Sequence, residues 1–297
     1  MKILLTGSTG QIGHEIIKLK PNDIEIISPD RNQLDLSNYK LCKEVVLKIN
    51  PDWIINCGAY TAVDDAENDI RLSNQINAYA PKAFTEIINE KNSNLLHIST
   101  DFVFDGKQSF PYEEKQKRNP LGQYGRSKAL GEELIENNLN SIENATILRT
   151  SWVISPRGKN FILTMLKLHN EREEINVVSD QIGSPTSAHE IAKACWKIVE
   201  LKKKDKLPFI LHWSDAGVAS WFDLAVAVGE IAKELKIIDK IAIVNPITTS
   251  DYPTPAQRPK YSVLNTFNTA KLLKRKPKYW RTSLKEILYE YKKTNHL

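Results

Sequence analysis

The stretch KILLTGSTGQIGHEIIKL, residues 2–19, determines the fold class. Its short apolar start predicts a strand, and the apolar residues after its three glycines recur with helical spacing. Glycine lets such a strand-to-helix turn adopt positive φ and lets the backbone approach a ligand closely. The free N–H groups at the start of the next helix favour an anion such as a pyrophosphate. Gly7, Gly10 and Gly13 therefore predict a dinucleotide-binding loop that opens an α/β fold.

The end of the second predicted strand bears on the choice of dinucleotide. Asp30 and Arg31 are adjacent in SPDRNQLD, residues 28–35. A carboxylate at this place accepts a hydrogen bond from a ribose 2′-hydroxyl and favours NAD, whereas an arginine pairs with the 2′-phosphate of NADP. The sequence therefore supports either NADH or NADPH. Asp35 and Leu36 follow at positions that would border the adenine.

Strands and helices alternate through the first half of the chain. Apolar strands are predicted at 2–5, 23–28, 53–57, 94–99 and 145–152, and helices at 11–19, 39–49, 75–91 and 126–137. Because this alternation is typical of a parallel sheet with helices on both faces, we expect a Rossmann-type doubly wound α/β fold.

The alternation loosens after residue 152. Helical patterns at 160–171 and 221–235 are joined by loops, and proline and threonine cluster at 246–260. We therefore predict a dinucleotide-binding domain over 1–152. A smaller substrate domain over 153–297 would cover the carboxyl edge of the sheet, with later segments returning to the first domain.

Composition excludes several classes of protein. The 297 residues carry a net charge of only +5, with scattered basic residues, so nucleic acid is not an expected partner. The three cysteines are widely spaced, which suits a reducing compartment, and no pair of cysteines or histidines has metal-ligand spacing. Since no apolar run approaches the length of a membrane span, we expect a cytoplasmic protein without membrane contact.

Tyr124 and Lys128 lie four residues apart at the start of a predicted helix, so they share one face of it. A nearby ammonium would lower the pKa of the phenol and make it a general acid or base. Thr100 follows the fourth predicted strand, at the carboxyl edge where open α/β sheets bind ligands. Its hydroxyl can donate to a carbonyl oxygen that becomes negative. The three residues together suit hydride transfer to or from a carbonyl.

Three motifs resemble the extended short-chain dehydrogenase/reductases that act on nucleotide sugars. They are TGSTGQIG (6–13), STDFVF (99–104) and YGRSK (124–128). Longer stretches are similar to the dTDP-4-dehydrorhamnose reductase family within that group. These are NCGAYTAVDDAE (56–67), LRTSWV (148–153), DQIGSPT (180–186), YPTPAQRPKYSVLNT (252–266) and WRTSLKEIL (280–288). The resemblance extends through essentially the whole chain.

The resemblance implies reduction of the C4 ketone of dTDP-4-dehydro-L-rhamnose by NAD(P)H. It implies that Tyr124 donates the proton, that Thr100 steadies the oxyanion and that Lys128 tunes Tyr124 and holds the nicotinamide ribose. The implied pyrophosphate contacts are Gly7, Thr9, Gln11 and Ile12, with Ala59, Tyr60 and Asn77 lining the cofactor groove. The implied sugar-nucleotide contacts are Asp101, Val103, Trp152 and Arg258.

Members of this family often form dimers bridged by Mg²⁺ through glutamates. Glu15 matches one of these positions, but His189 stands where another glutamate is expected, next to Glu190. Because Mg²⁺ prefers oxygen ligands, the substitution argues against the metal and leaves monomer and homodimer open.

Two other functions remain as alternatives. One is a nucleotide-sugar dehydratase or epimerase, although Phe102 follows Asp101 where related dehydratases have a second carboxylate. The other is a non-catalytic regulatory subunit that binds the cofactor. His97 and His212, each inside an apolar stretch, are interpreted as core residues.

Overall fold

The computed structural model describes residues 1–91, 93–202 and 205–296. Twelve strands lie within these ranges. They are β1 (Lys2–Thr6), β2 (Glu25–Ile27), β3 (Trp53–Asn56), β4 (Asn94–Thr100), β5 (Ala145–Thr150), β6 (Val153–Ile154), β7 (Glu174–Val178), β8 (Ile182–Gly183), β9 (Thr186–Ser187), β10 (Ile210–His212), β11 (Ala219–Ser220) and β12 (Ile243–Ile247).

Ten α-helices are found in the same described ranges. They are α1 (Gln11–Lys18), α2 (Tyr39–Ile49), α3 (Ile70–Asn74), α4 (Ala80–Lys91), α5 (Gln123–Asn138), α6 (Phe161–Glu171), α7 (Ala188–Lys202), α8 (Trp221–Glu234), α9 (Phe267–Leu273) and α10 (Trp280–Thr294). A π-helical turn, Gln75–Tyr79, joins α3 to α4. Within the described residues, none of the helices has both the length and the apolar character that a membrane crossing requires.

The main sheet has six strands in the order β10-β5-β4-β3-β1-β2, and every neighbouring pair is parallel. Alternate residues of each strand face opposite layers. Ile3 and Leu5 of β1 pack with α1 and α7, whereas Leu4 packs with α2 and α4. Burial of both faces explains why the strands are apolar throughout. This arrangement confirms the predicted Rossmann-type doubly wound sheet.

The second half of the chain divides between two places. Helices α6, α8 and α10 form their own apolar core with β7 and β12. Helix α7 packs on α1, and β10 extends the main sheet beside β5. The sequence reasoning placed neither of these elements: β10 has only three residues, too few for a clear periodic signal, whereas the apolar spacing of α7 was missed. The division at residue 152 itself stays a prediction.

Candidate active site

The glycine loop lies where the strand order reverses. Strand β1 is flanked by β2 and β3, and such a switch point opens a crevice at the carboxyl ends of the strands. Gly7 has a φ of 65°. A Cβ on Gly7 would come within 2.6 Å of the Gly58 nitrogen and 2.7 Å of the Cys57 carbonyl carbon. Only glycine therefore lets the loop after β1 meet the loop after β3.

Helix α1 begins in this crevice without a side-chain cap among the described residues, and its N-cap is Gly10. A Cβ on Gly13 would lie 2.2 Å from the Gly7 carbonyl oxygen, so the helix packs directly on the loop. Uncapped N–H groups at a helix start are an anion site. The loop and the first turn thus fit a dinucleotide pyrophosphate. The predicted contacts Thr9, Gln11 and Ile12 lie in this segment.

Gln11 has a second connection that the sequence did not indicate. Its Oε1 accepts hydrogen bonds from Ser155 Oγ at 2.9 Å and from Asn160 Nδ2 at 3.0 Å. Asn160 is the N-cap of α6. The start of α1, directly after the glycine loop, is therefore fastened to the second half of the chain.

The segment after β2 holds the residues predicted to discriminate between NADH and NADPH. Asp30 Oδ1 accepts from the backbone N–H groups of Asn32 at 2.8 Å and Gln33 at 3.0 Å, which closes a turn. Arg31 is exposed beside it. Asp35 similarly accepts from the Ser37 N–H, and this bond holds the pKa of the Asp35 carboxyl below its ordinary value.

Leu36 borders the same crevice, since a Cβ on Gly58 would lie 2.4 Å from its Cδ1 atom. The predicted groove residues Ala59 and Tyr60 follow Gly58 and are held by Asn77. The Asn77 Oδ1 accepts from the Tyr60 N–H at 2.9 Å, and its Nδ2 donates to the Tyr60 carbonyl at 3.0 Å and to Ser127 Oγ at 2.9 Å. Asn77 thus braces the groove against α5.

Three predicted site residues meet at the carboxyl end of β4. The Thr100 hydroxyl donates to Asp101 Oδ1 at 3.0 Å, and Thr100 lies close enough to the Tyr124 hydroxyl to lower the pKa of that phenol. Tyr124 stands in the first turn of α5 and is half-buried. Asp101 is 2% exposed, and its Oδ2 has no hydrogen-bond partner of good geometry among the described residues, although the Ser262 side chain lies close enough to lower the pKa of the carboxyl. We call Thr100, Asp101, Tyr124 and Lys128 the constellation.

Burial sets the protonation of this group. It raises the pKa of Tyr124 to about 12, although the neighbouring Thr100 side chain lowers it. It likewise raises the pKa of Asp101 to about 6. Both shifts favour the neutral form, because a buried anion loses its hydration. Tyr124 is therefore held as a protonated phenol, which is the form that a general acid needs.

Lys128 is buried and turned toward the sheet. Its Nζ donates to the Ile98 carbonyl at 2.7 Å and lies 3.1 Å from His97 Nε2. Burial lowers the pKa of Lys128 to about 8, although the Glu132 carboxylate opposes this. Lys128 is not among the groups that shift the pKa of Tyr124, since its amine contacts the sheet, so its predicted tuning of the phenol stays a prediction.

His97 is a fully buried strand residue, which confirms its interpretation as a core residue. The sequence reasoning missed its contact with Lys128. The signal that could have found it is the alternation of β4: His97 shares a face with Leu95, and that face packs against the layer that contains α5. His212 is also buried, and its Nδ1 lies 3.1 Å from the Tyr112 carbonyl oxygen.

Trp152 is stacked on Trp221, with ring centroids 3.5 Å apart and planes within 2°. Its backbone φ is 42°, which is unusual for a large side chain and marks local strain. A Cβ on Gly183 would lie 2.4 Å from the indole, so a glycine is required beneath it. The pair forms a rigid aromatic surface just after β5.

The other two predicted substrate residues have internal roles. Val103 is fully buried in a small apolar cluster with Phe104 and Tyr112, so its side chain belongs to the core. Arg258 pairs with both carboxylate oxygens of Asp64, at 3.0 and 2.7 Å. That pair fastens the proline-rich loop to the segment after β3. Its guanidinium reaches a sugar nucleotide only if it leaves or shares this partner.

A cavity of about 1620 Å³ opens elsewhere, between α5, β10 and α9. None of the predicted site residues lines it, so its size does not locate the chemistry. The constellation, the glycine loop and the crevice at the switch point are together what a dinucleotide enzyme requires.

The residues at the expected Mg²⁺ positions do not fit the metal. Glu15 Oε2 pairs with His189 Nδ1 at 2.8 Å, and Lys18 lies between Glu15 and Glu290. Glu190 pairs with Lys193 and other cations instead. Side-chain cations thus already neutralise these carboxylates. Among the described residues no group of three or more His, Cys, Asp or Glu is placed to hold a metal.

Comparison with known proteins gives a consistent result. Residues 1–293 match the model of the RmlD substrate binding domain family. The chain belongs to this family. It is 36% identical to the dTDP-4-dehydrorhamnose reductase of Aggregatibacter actinomycetemcomitans, over 96% of this chain and 98% of that one. It is also 36% identical to a spore coat polysaccharide biosynthesis protein of Bacillus subtilis, over 97% of each chain.

Solved structures of the family agree with the fold. The dTDP-4-dehydrorhamnose reductase of Clostridium acetobutylicum superimposes with a TM-score of 0.88 at 36% identity, covering 98% of this chain and 99% of that one. The Bacillus anthracis enzyme in complex with NADP gives 0.89 at 33% identity, covering 97% and 99%. The chain is thus an oxidoreductase of a family of NAD(P)-dependent dTDP-sugar reductases, and the family predicted from its motifs is confirmed.

Proposed function

We propose that this protein reduces the C4 ketone of dTDP-4-dehydro-L-rhamnose to give dTDP-L-rhamnose. The observation that carries the proposal is the placement of Tyr124, in the first turn of α5, next to Thr100 at the carboxyl end of β4, beside a crevice suited to a dinucleotide. Near-complete alignment with dTDP-4-dehydrorhamnose reductases supports the choice of substrate.

The proposed roles of the residues combine their contacts with the resemblance to the family. When bound, the reduced nicotinamide supplies the hydride. Tyr124 donates its proton to O4 as the ketone becomes an alcohol, and the Thr100 hydroxyl stabilises the charge that develops on that oxygen. Lys128 would hold the nicotinamide ribose. Asp101, whose Oδ2 has no hydrogen-bond partner of good geometry among the described residues, and the Trp152 surface border the sugar. The N–H groups at the start of α1 bind the cofactor pyrophosphate.

NADPH is the cofactor that the segment after β2 favours. Asp30 Oδ1 already accepts two backbone hydrogen bonds within its own turn, so it is less available to a ribose hydroxyl. Arg31 is exposed, and a guanidinium binds a 2′-phosphate with paired hydrogen bonds. The NADP bound to the Bacillus anthracis relative is consistent with this choice.

One contact argues against dehydration. Phe102 packs edge-on against Tyr124, with centroids 5.7 Å apart, where a dehydratase would need a second carboxylate. An apolar ring cannot exchange a proton with the sugar. A related dTDP-sugar ketone remains the competing substrate, because a relative from Streptomyces antibioticus is named as a probable 4-ketoreductase of another dTDP-sugar.

Incubation with dTDP-4-dehydro-L-rhamnose and each cofactor tests the proposal. We expect NADPH to be oxidised faster than NADH, with dTDP-L-rhamnose identified by NMR as the product. No oxidation of either cofactor would exclude the reductase. Turnover of another dTDP-keto sugar with a higher kcat/KM would keep the chemistry and replace the substrate.

A further inference from the structure

A chain of buried hydrogen bonds connects the glycine loop to Lys128. The Gly58 N–H donates to Thr6 Oγ1 at 3.1 Å, and the Thr6 hydroxyl donates to Asn56 Oδ1 at 2.6 Å. Asn56 Nδ2 lies 2.9 Å from His97 Nδ1, and His97 Nε2 lies 3.1 Å from Lys128 Nζ. All of these side chains are at most 2% exposed. The chain therefore crosses three parallel strands without solvent.

Lys128 is held by two atoms of β4. Its Nζ bonds the Ile98 carbonyl and the His97 ring, which leaves one tetrahedral direction for any other partner. A lysine side chain is flexible, and one held on two sides presents its remaining N–H in a fixed direction. Loss of His97 would leave the buried amine with a single strand contact.

We propose that His97 is a positioning residue, which, braced by Asn56, orients the Lys128 amine for turnover and links it to the cofactor loop. The proposal rests on the reductase function proposed above. It assigns His97 no contact with substrate or cofactor. Its action is exerted on Lys128.

This series of hydrogen bonds can accommodate Lys128 either as an ammonium or as a neutral amine. With the Thr6 hydroxyl donating to Asn56, the amide NH₂ faces Nδ1, so the ring proton sits on Nε2 and faces a neutral amine. If the Asn56 amide flips, its Oδ1 accepts from Nδ1–H and its NH₂ donates to the Thr6 hydroxyl. Nε2 then carries no proton and accepts from the Lys128 ammonium. Burial and the Lys128 charge hold the pKa of His97 well below its ordinary value, so the ring stays neutral. The other titratable groups near Lys128 are Cys57, Tyr124 and Glu132.

His97→Leu tests the role in turnover. We expect kcat to fall by about 10- to 100-fold, because small misplacement of a catalytic group is costly, while KM for the keto sugar changes little. The pH at which kcat declines on the alkaline side should move down, because an apolar neighbour disfavours the ammonium. His97→Gln, whose amide can donate and accept, should recover most of kcat and the pH profile.

His169→Leu is the matched control. His169 is also fully buried, but its Nε2 lies beside the Ala225 carbonyl in the core of the second half. We expect this variant to lose stability and keep the pH profile of kcat. A folded His97→Leu enzyme with wild-type kcat and pH profile would overturn the proposal.

A second measurement does not depend on folding of the His97 variants or on activity. The ¹⁵N shifts of the His97 ring in the wild-type protein should show a neutral ring at every pH at which the enzyme is active. They should also change in Lys128→Met, while those of His169 do not. A His97 ring that titrates near its ordinary pKa, or that ignores Lys128→Met, would refute the contact. Failure to reduce any dTDP-keto sugar would instead refute the reductase function and leave this contact standing.

Discussion

Helix α5 carries two buried charged groups, Lys128 and Glu132, one turn apart, in opposite kinds of surroundings. Glu132 belongs to an ionic network in which both of its carboxylate oxygens accept hydrogen bonds. Arg149 donates to both of its oxygens, at 2.9 and 2.6 Å, and Arg118 and Ser99 add further bonds. Although burial opposes it, Arg149 holds the pKa of Glu132 below its ordinary value.

The constellation around Lys128 is incompletely satisfied. Asp101 Oδ2 and the nearby Thr150 hydroxyl have no hydrogen-bond partner of good geometry among the described residues, and burial pushes Asp101, Tyr124 and Lys128 toward their neutral forms. A network whose polar atoms are all hydrogen-bonded stabilises the structure. Buried polar atoms without partners and groups with shifted pKa values are instead typical of sites that bind a ligand. Two adjacent turns of α5 therefore differ in role: the turn with Glu132 stabilises the fold, and the turn with Lys128 lies beside the candidate active site.

Tyr124→Phe should give the largest effect on activity. Removal of the general acid is expected to lower kcat by about 10²- to 10⁴-fold with cofactor affinity unchanged. NADPH oxidation and fluorescence titration measure the two quantities. Tyr112→Phe is the control, because Tyr112 donates only to Asp105 and should retain activity. Full activity in Tyr124→Phe would remove Tyr124 from the mechanism.

Glu132→Ala should give the largest loss of stability. It leaves Arg149, 1% exposed, without its carboxylate, and breaking a buried pair this way costs about 3–5 kcal/mol. Urea unfolding measures the change. Glu136→Gln removes the exposed partner of Arg118, where a surface pair contributes about 1 kcal/mol or less. Equal losses in the two variants would contradict the division between saturated and exposed pairs.

Asp101→Asn should stabilise the protein at neutral pH while impairing turnover. The folded pKa of about 6 lies above the ordinary 3.8, so the carboxyl contributes stability that is present below about pH 4 and lost as pH rises through 6. The variant should therefore gain about 1–3 kcal/mol at about pH 8 and less at about pH 5. Urea unfolding at both pH values tests this.

Asp105→Asn is the control of opposite sign. Although burial opposes it, hydrogen bonds from Tyr112, the Lys107 N–H and Asn119 hold the pKa of the Asp105 carboxyl below its ordinary value. Its contribution is present at neutral pH and lost toward acid, so the variant should be less stable at about pH 8. A stabilised Asp105→Asn would show that hydrogen bonding does not set these shifts.

Local pattern determined much of this protein. The apolar run, the three glycines and the helical spacing of residues 2–19 specify the first βα unit, because turn chemistry and periodicity act over a few residues. The four-residue spacing of Tyr124 and Lys128 likewise predicted that they share one helix, and α5 carries both residues. The motifs of the second half, such as DQIGSPT, identified the family.

What lies across strands needed the tertiary structure. The contact of His97 with Lys128 joins residues 31 apart, and the pair of Arg258 with Asp64 joins residues 194 apart. No local spacing encodes such contacts. The direction of the Tyr124 pKa shift depended on burial, which is a property of the packed chain. The sequence therefore indicated the candidate reacting groups, and packing decided which atoms they face.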